Sequence, residues 1–184
     1  MLNVSRSRPE PVEWVPAERL GGHEVDAGLR PWLIGQGLLT QRLREKFRER
    51  FECLAADPWT GLLSGEERAF LGSSDRAGLV REERLRIDGR DWVLCRVVLP
   101  DSTLTAHPWL AELGESSLPD LLAELSGVTR DPYEYARLAA DAPLARAALG
   151  ERAPDGLWAR RTRLRLRGSP LAFQELFLAA AGTD

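Results

Sequence analysis

The sequence predicts a single α+β domain whose strands are mostly antiparallel. Three observations carry that expectation. The 184 residues are 43% hydrophobic and 29% charged, enough chain for one buried core and a balance that excludes a disordered or fibrous protein. Two β-like runs, Val80 to Ile87 and Arg90 to Leu99, flank Asp88-Gly89, a dipeptide that accepts the positive φ angles of a tight hairpin turn. A second pair of runs, Leu157 to Leu166 and Leu171 to Leu178, flanks Gly168-Ser169-Pro170, another turn composition. Strands joined by such short turns pair antiparallel, because a parallel pair needs a long crossover.

The elements follow in chain order. Pro9, Pro11, Pro16 and Gly21-Gly22 interrupt any regular period, so residues 1–25 are expected to form an irregular arm and 26–184 the domain. Asp26 can cap a short helix containing Leu29, Trp32, Leu33 and Ile34, with a kink at Pro31. Leu39, Leu43 and Phe47 recur at helical spacing, predicting a second helix that starts near Gly37. Phe47, Phe51 and Leu54 extend that stripe, yet Phe47, Phe51, Cys53 and Ala55 also suit one face of a strand, and periodicity leaves both readings open. Ser64-Gly65-Glu66-Glu67 predicts a helix start with acidic residues in its first turn. Ser117 to Leu125 is expected to be helical, as is the segment after Asp131-Pro132-x-Glu134, with an interruption at Pro143.

Composition excludes several function classes. A net charge of −3 gives no basic field for general binding to nucleic acid or anionic lipid. The 25 basic residues include one lysine, Lys46, in the charged stretch Arg44-Glu45-Lys46-Phe47-Arg48, a poor setting for Schiff-base chemistry. Cys53 and Cys95 lack CxxC neighbours and His23 and His107 are isolated, so no metal site is expected. No N-terminal signal and no span of about 20 apolar residues is present, which predicts a cytoplasmic protein with reduced thiols and no membrane span. In the arginine-rich run, Arg161, Arg163, Arg165 and Arg167 alternate with Thr162, Leu164 and Leu166, which reads as the solvated face of a half-buried strand.

Two charges stand where the pattern wants none. Trp92 to Leu99 is apolar on both faces except at Arg96, so this strand is expected to be buried on both sides and Arg96 to need an anionic partner. Leu171, Phe173, Glu175 and Phe177 share one face by the period of two, which places a carboxylate inside an apolar stripe. Arg96 and Glu175 could form a buried ion pair with each other or with third residues, or could face one apolar pocket that takes a small cyclic acid. The residues leave both readings open.

The C-terminal run Leu157-Trp158-Ala159-Arg160-Arg161-Thr162-Arg163-Leu164-Arg165-Leu166, with Gly168, Pro170-Leu171 and Glu175-Leu176-Phe177-Leu178, resembles the closing hairpin of the bacterial chorismate pyruvate-lyases. Asp88-Gly89-x-x-Trp92, Arg96-Val97-Val98-x-Pro100, Ser102-Thr103-Leu104 and Leu38-Leu39-Thr40-Gln41-Arg42 follow the same family's order, over about residues 27 to 180. The resemblance implies one antiparallel sheet of about six strands with helical flaps over a buried ligand site. It implies a monomer without cofactor that converts chorismate to 4-hydroxybenzoate and pyruvate at the start of ubiquinone synthesis, with inhibition by product. Carried over by position, the carboxylate-binding arginine falls on Arg96 and the glutamate facing the ring hydroxyl on Glu175. Two further contacts, largely through backbone, fall on Leu39 and Leu118, where the family often has methionine at the first and glycine after the second in place of Pro119. Two rival classes are a non-catalytic effector-binding domain of the same fold and a structural partner protein. A regulator needs a DNA-binding module ahead of it, and residues 1–25 are too short for one; a structural protein has no need of Arg96 and Glu175 inside apolar strands.

Overall fold

The computed structural model describes residues 12–21, 25–114 and 116–178; His23 lies outside them. In chain order the elements are β1 (Val15–Pro16), α1 (Arg30–Ile34), α2 (Leu39–Phe47), β2 (Phe51–Ala55), β3 (Trp59–Leu62), α3 (Gly65–Leu71), β4 (Ala77–Ile87), β5 (Arg90–Pro100), α4 (Asp101–Ala106), α5 (Leu118–Glu124), β6 (Val128–Arg130), β7 (Glu134–Leu138), α6 (Pro143–Leu149), β8 (Leu157–Leu166) and β9 (Ser169–Phe177). The strands form one antiparallel sheet in the order β1-β7-β8-β9-β5-β4-β2, with β3 also on β4 and β6 also on β8. The architecture is the α+β class read from the sequence. Among the described residues the sheet has nine strands instead of about six, and the surplus comes from β1, β3 and β6, each two to four residues long.

Both predicted hairpins form. Asp88 and Gly89 take φ of 50° and 71°, the positive pair that a two-residue turn needs. In the C-terminal hairpin that pair is Arg167 and Gly168, at 49° and 92°, so Ser169 and Pro170 already belong to β9 and the turn sits one residue earlier than expected. The ambiguous stretch after α2 is a strand: Arg48 enters the left-handed region at φ 48°, ends the helix, and a 3-10 turn leads into β2. Ser64 and Glu67 make a reciprocal capping box at the start of α3, as the spacing requires.

Three local expectations are corrected. The segment after Asp131-Pro132 is strand β7, because the Asp131 carboxylate accepts from Arg163 and Arg165 of β8 at 2.8 and 2.6 Å instead of capping a helix. Pro143 starts α6 where it was expected to interrupt a helix, since no helix precedes it. Pro31 stands in the first turn of α1, where a missing N–H costs nothing, while the Asp26 carboxylate accepts from the Gly28 and Leu29 N–H groups ahead of it. Part of the expected irregular arm is ordered on the sheet: Val15 pairs with Tyr135 at its edge.

Helices cover both faces, which is why β5 is buried without a break from Val93 to Pro100. On one face, called inner here, Leu33 of α1, Leu39 and Leu43 of α2, and Leu118 and Leu122 of α5 pack on Leu85, Cys95, Val97, Leu164, Leu171 and Phe173. On the outer face α6 packs Leu144 and Ala145 on Leu94, Ala159 and Leu176, and α3 sets Leu71 against Val98 and Ala172. No helix among the described residues is long and apolar enough to cross a membrane.

Candidate functional site

Register decides which charges meet. Arg81, Val97, Phe173 and Thr162 form one cross-strand row, and Glu83, Cys95, Glu175 and Arg160 form another. The rows are two residues apart along each strand, so all eight side chains share the inner face. Arg96 pairs across from Gln174 and Glu82, in the intervening row, and faces the other way. The expectation that Arg96 and Glu175 share a cavity is therefore corrected: they are on opposite sides of the sheet. Adjacent positions on paired strands cannot face the same side.

Glu175 and Arg96 each have a charge partner of their own. Glu175 accepts from Nε of Arg160, whose side chain is fully buried. The Arg160 Nη1 group also donates to the Leu33 carbonyl at 2.9 Å, with longer contacts to the carbonyls of Trp32 and Gly35. Its guanidinium lies over the Tyr133 ring at 4.4 Å. Burial pulls the Arg160 pKa down, but the Glu175 carboxylate overrides it, helped by Tyr133, and holds the group above the ordinary arginine value. Burial, reinforced by the Glu175 charge, pushes the Tyr133 phenol up. On the outer face Arg96 lies 3.3 Å from a Glu67 oxygen and 3.7 Å from one of Glu82, beside a cavity of about 140 Å³ walled by Phe70, Leu144 and Gln174.

Arg81 is the buried cation on the inner face without a carboxylate partner among the described residues. It is 4% exposed. Its Nη2 donates to the Gly114 and Ser116 carbonyls at 2.6 and 3.4 Å, while Nε and Nη1 are buried and unpartnered. Leaving such donors unmade costs about 1–3 kcal/mol each; Nε and Nη1 of Arg96 are unpartnered too on the outer face, so the two arginines differ in the face they occupy and in the carboxylates beside Arg96. Strand spacing and rise put the Cα atoms of Arg81 and Glu175 about 12 Å apart, with Cys95, Val97 and Phe173 between them.

The flaps close over this row. Leu39 opens α2 and Leu118 opens α5, both buried against the inner face. The helices are latched to each other: Thr40 Oγ1 donates to Asp120 at 2.6 Å and Arg44 reaches the other Asp120 oxygen at 3.1 Å. Glu83 accepts from the Leu118 N–H and the Ser117 hydroxyl, each at 2.9 Å, and contacts the Cys53 thiol at 3.5 Å. Burial raises the Glu83 pKa against the pull of those two hydrogen bonds. A cavity of about 270 Å³ lies at the flap edge, lined by Leu38, Pro119, Leu122, Arg130, Leu164 and Phe173.

Of the residues expected in the site, Glu175, Leu39 and Leu118 lie on the inner side and Arg96 does not. Arg81, Glu83, Arg160 and Tyr133 were missed. Arg81 and Glu83 sit in the charge-dense run Arg81-Glu82-Glu83-Arg84, which reads as solvated. Their shared parity with Leu85 was the usable signal. Arg160 likewise has the parity of Thr162, Leu164 and Leu166, opposite to the outer arginines, which are paired and not bare: Arg161 with Glu66 and Glu134, Arg163 and Arg165 with Asp131.

Known proteins carry the same arrangement of sequence. Chorismate pyruvate-lyase of Salmonella arizonae is 34% identical over 158 residues, 85% of this chain and 86% of the relative; that of Salmonella newport is 33% identical over the same shares. Among solved structures, the effector domain of PhnF from Mycobacterium smegmatis superposes with a TM-score of 0.50 at 18% identity, over 78% of this chain and 90% of that one. That likeness is one of fold. Sequence agreement reaches further, spanning both hairpins and both flaps: residues 9–182 match the chorismate lyase family, and with relatives this similar over most of their length, the chain belongs to that family.

Proposed function

We infer that this chain is a chorismate pyruvate-lyase, releasing pyruvate from chorismate and leaving 4-hydroxybenzoate. Family membership supports the reaction. The observation that supports it in the chain itself is Arg81, buried on the inner face with two unpartnered donors, two strands from a buried Glu175. In this reading Arg81, in place of Arg96, grips the ring carboxylate with the paired donors of its planar guanidinium. Glu175, aimed by Arg160, accepts from the ring hydroxyl, and the Leu39 and Leu118 flaps exclude water.

The chemistry suits a site with few polar groups. The ether C–O bond of the enolpyruvyl group breaks, the ring carbon bearing the hydroxyl loses its hydrogen, and the ring becomes aromatic. That hydrogen ends on the methylene carbon of the departing enolpyruvate, which leaves as pyruvate. The step is downhill, so orientation and exclusion of water supply most of what the protein adds. Glu175 orients the hydroxyl at the carbon that loses hydrogen, within reach of assisting the transfer. The test is direct: the purified protein is incubated with chorismate while pyruvate and 4-hydroxybenzoate are followed. Equal amounts of the two are expected, and absence of pyruvate overturns the assignment.

A further inference from the structure

Arg81 and Glu83 are opposite charges, both 4% exposed, two residues apart on one face of β4, yet they form no ion pair. Neighbours at that spacing are within reach of each other along a strand, and in a buried setting their attraction is strong. What keeps them apart is the segment leading into α5. Its carbonyls at Gly114 and Ser116 take the Arg81 Nη2 group, and its donors, the Ser117 hydroxyl and Leu118 N–H, take the Glu83 carboxylate. The segment is thus clamped by both charges at once, and the rest of the Arg81 guanidinium stays unpartnered.

We propose that Glu83 is a positioning residue for the lyase reaction: with the flap closed it pins Ser117 and Leu118 and leaves Arg81 free for the substrate carboxylate, and with the flap lifted it pairs with Arg81 and displaces the product carboxylate. The proposal rests on the lyase reading above. Lifting the segment takes four hydrogen bonds from the two side chains at once, and the nearest compensation for a buried carboxylate so exposed is the guanidinium beside it. A resident carboxylate then competes with the product for Arg81 only in the open state, so it speeds release without weakening the closed complex in which the chemistry occurs.

Two variants of the full chain with opposite expected signs test this. Glu83→Gln keeps the shape and an acceptor for Leu118 but removes the competing charge. It should bind 4-hydroxybenzoate about tenfold more tightly, lower steady-state kcat by a similar factor, and leave the single-turnover rate of pyruvate formation within about twofold of wild type. Ser117→Ala removes one donor from the clamp and should weaken 4-hydroxybenzoate binding severalfold. A purely structural role for Glu83 would move the single-turnover rate along with kcat. Wild-type affinity in Glu83→Gln overturns the proposal and leaves the lyase reading intact; if that variant fails to fold, unchanged affinity in Ser117→Ala overturns it. Failure of the wild-type chain to form pyruvate overturns both.

Discussion

Arg81 and Arg96 differ in strand parity, and in the proposed reading that difference separates the cation that grips the substrate from one that holds the outer face together. Arg81→Ala should lower kcat/KM by about 2–5 kcal/mol, the range for truncating one partner of a buried charge pair, with little change in folding. Arg96→Ala should instead cost about 3 kcal/mol of stability, because Glu82 and Glu67 lose their counter-charge on the outer face, while turnover per folded molecule is unchanged. Paired chemical denaturation and pyruvate assays on both variants check this, and the reverse pattern would return Arg96 to the site. Glu83 adds a pH signature. Burial raises its pKa above the ordinary carboxylate value, so the folded chain holds the proton longer than the unfolded chain does. The stability linked to it is complete below the unfolded value and is lost as pH rises through the raised one. Glu83→Gln removes that titration, so the Tm of the variant should gain on wild type as pH rises from the carboxylate range toward neutral. A Tm difference that is constant across that range in calorimetry would contradict the assignment.

At the scale of elements, the flaps are two short helices with weak internal means of support. The helix α5 has seven residues, too few to persist alone, so its position is set by contacts: Glu83 below it and the Thr40–Asp120 latch beside it. Thr40 is buried and its hydroxyl donates to a carboxylate, a contact worth roughly 1.5–3 kcal/mol. Thr40→Val keeps the branched shape and deletes the donor. It should raise the inhibition constant of 4-hydroxybenzoate severalfold and accelerate its dissociation; stopped-flow displacement measures both, and an unchanged off-rate would show that the latch does not control opening.

For the whole molecule, helices on both faces of one sheet bury the charged rows, and in the proposed reading the ligand leaves past α2 and α5. Opening of such flaps commonly limits turnover. Mixing the protein with excess chorismate should give a rapid burst of about one 4-hydroxybenzoate per chain, followed by a slower steady rate. A linear time course with no inhibition by added 4-hydroxybenzoate would rule out release as the slow step.

Much of this architecture was legible in the chain. The Asp88-Gly89 turn, the helix start at Ser64 and the helix over Leu118–Glu124 are local, set by backbone angles and hydrogen bonds within a few residues, and each forms where the composition places it. Glu175 was legible too, because one carboxylate in a leucine and phenylalanine stripe breaks a period of two. Where a local signal met a distant competitor it failed: the Asp131 carboxylate that could cap a helix is held by arginines from β8. The same limit hid the cation that the proposed reading assigns to the substrate. Arg96 is the lone charge between Trp92 and Leu99 and Arg81 is one of several charges in β4, and nothing in either strand says which face the flaps will cover. That choice is made by Gly114, Ser116, Ser117 and Leu118, brought over β4 from a distant part of the chain, because the worth of a buried charge depends on partners that folding brings beside it and not on its neighbours in sequence.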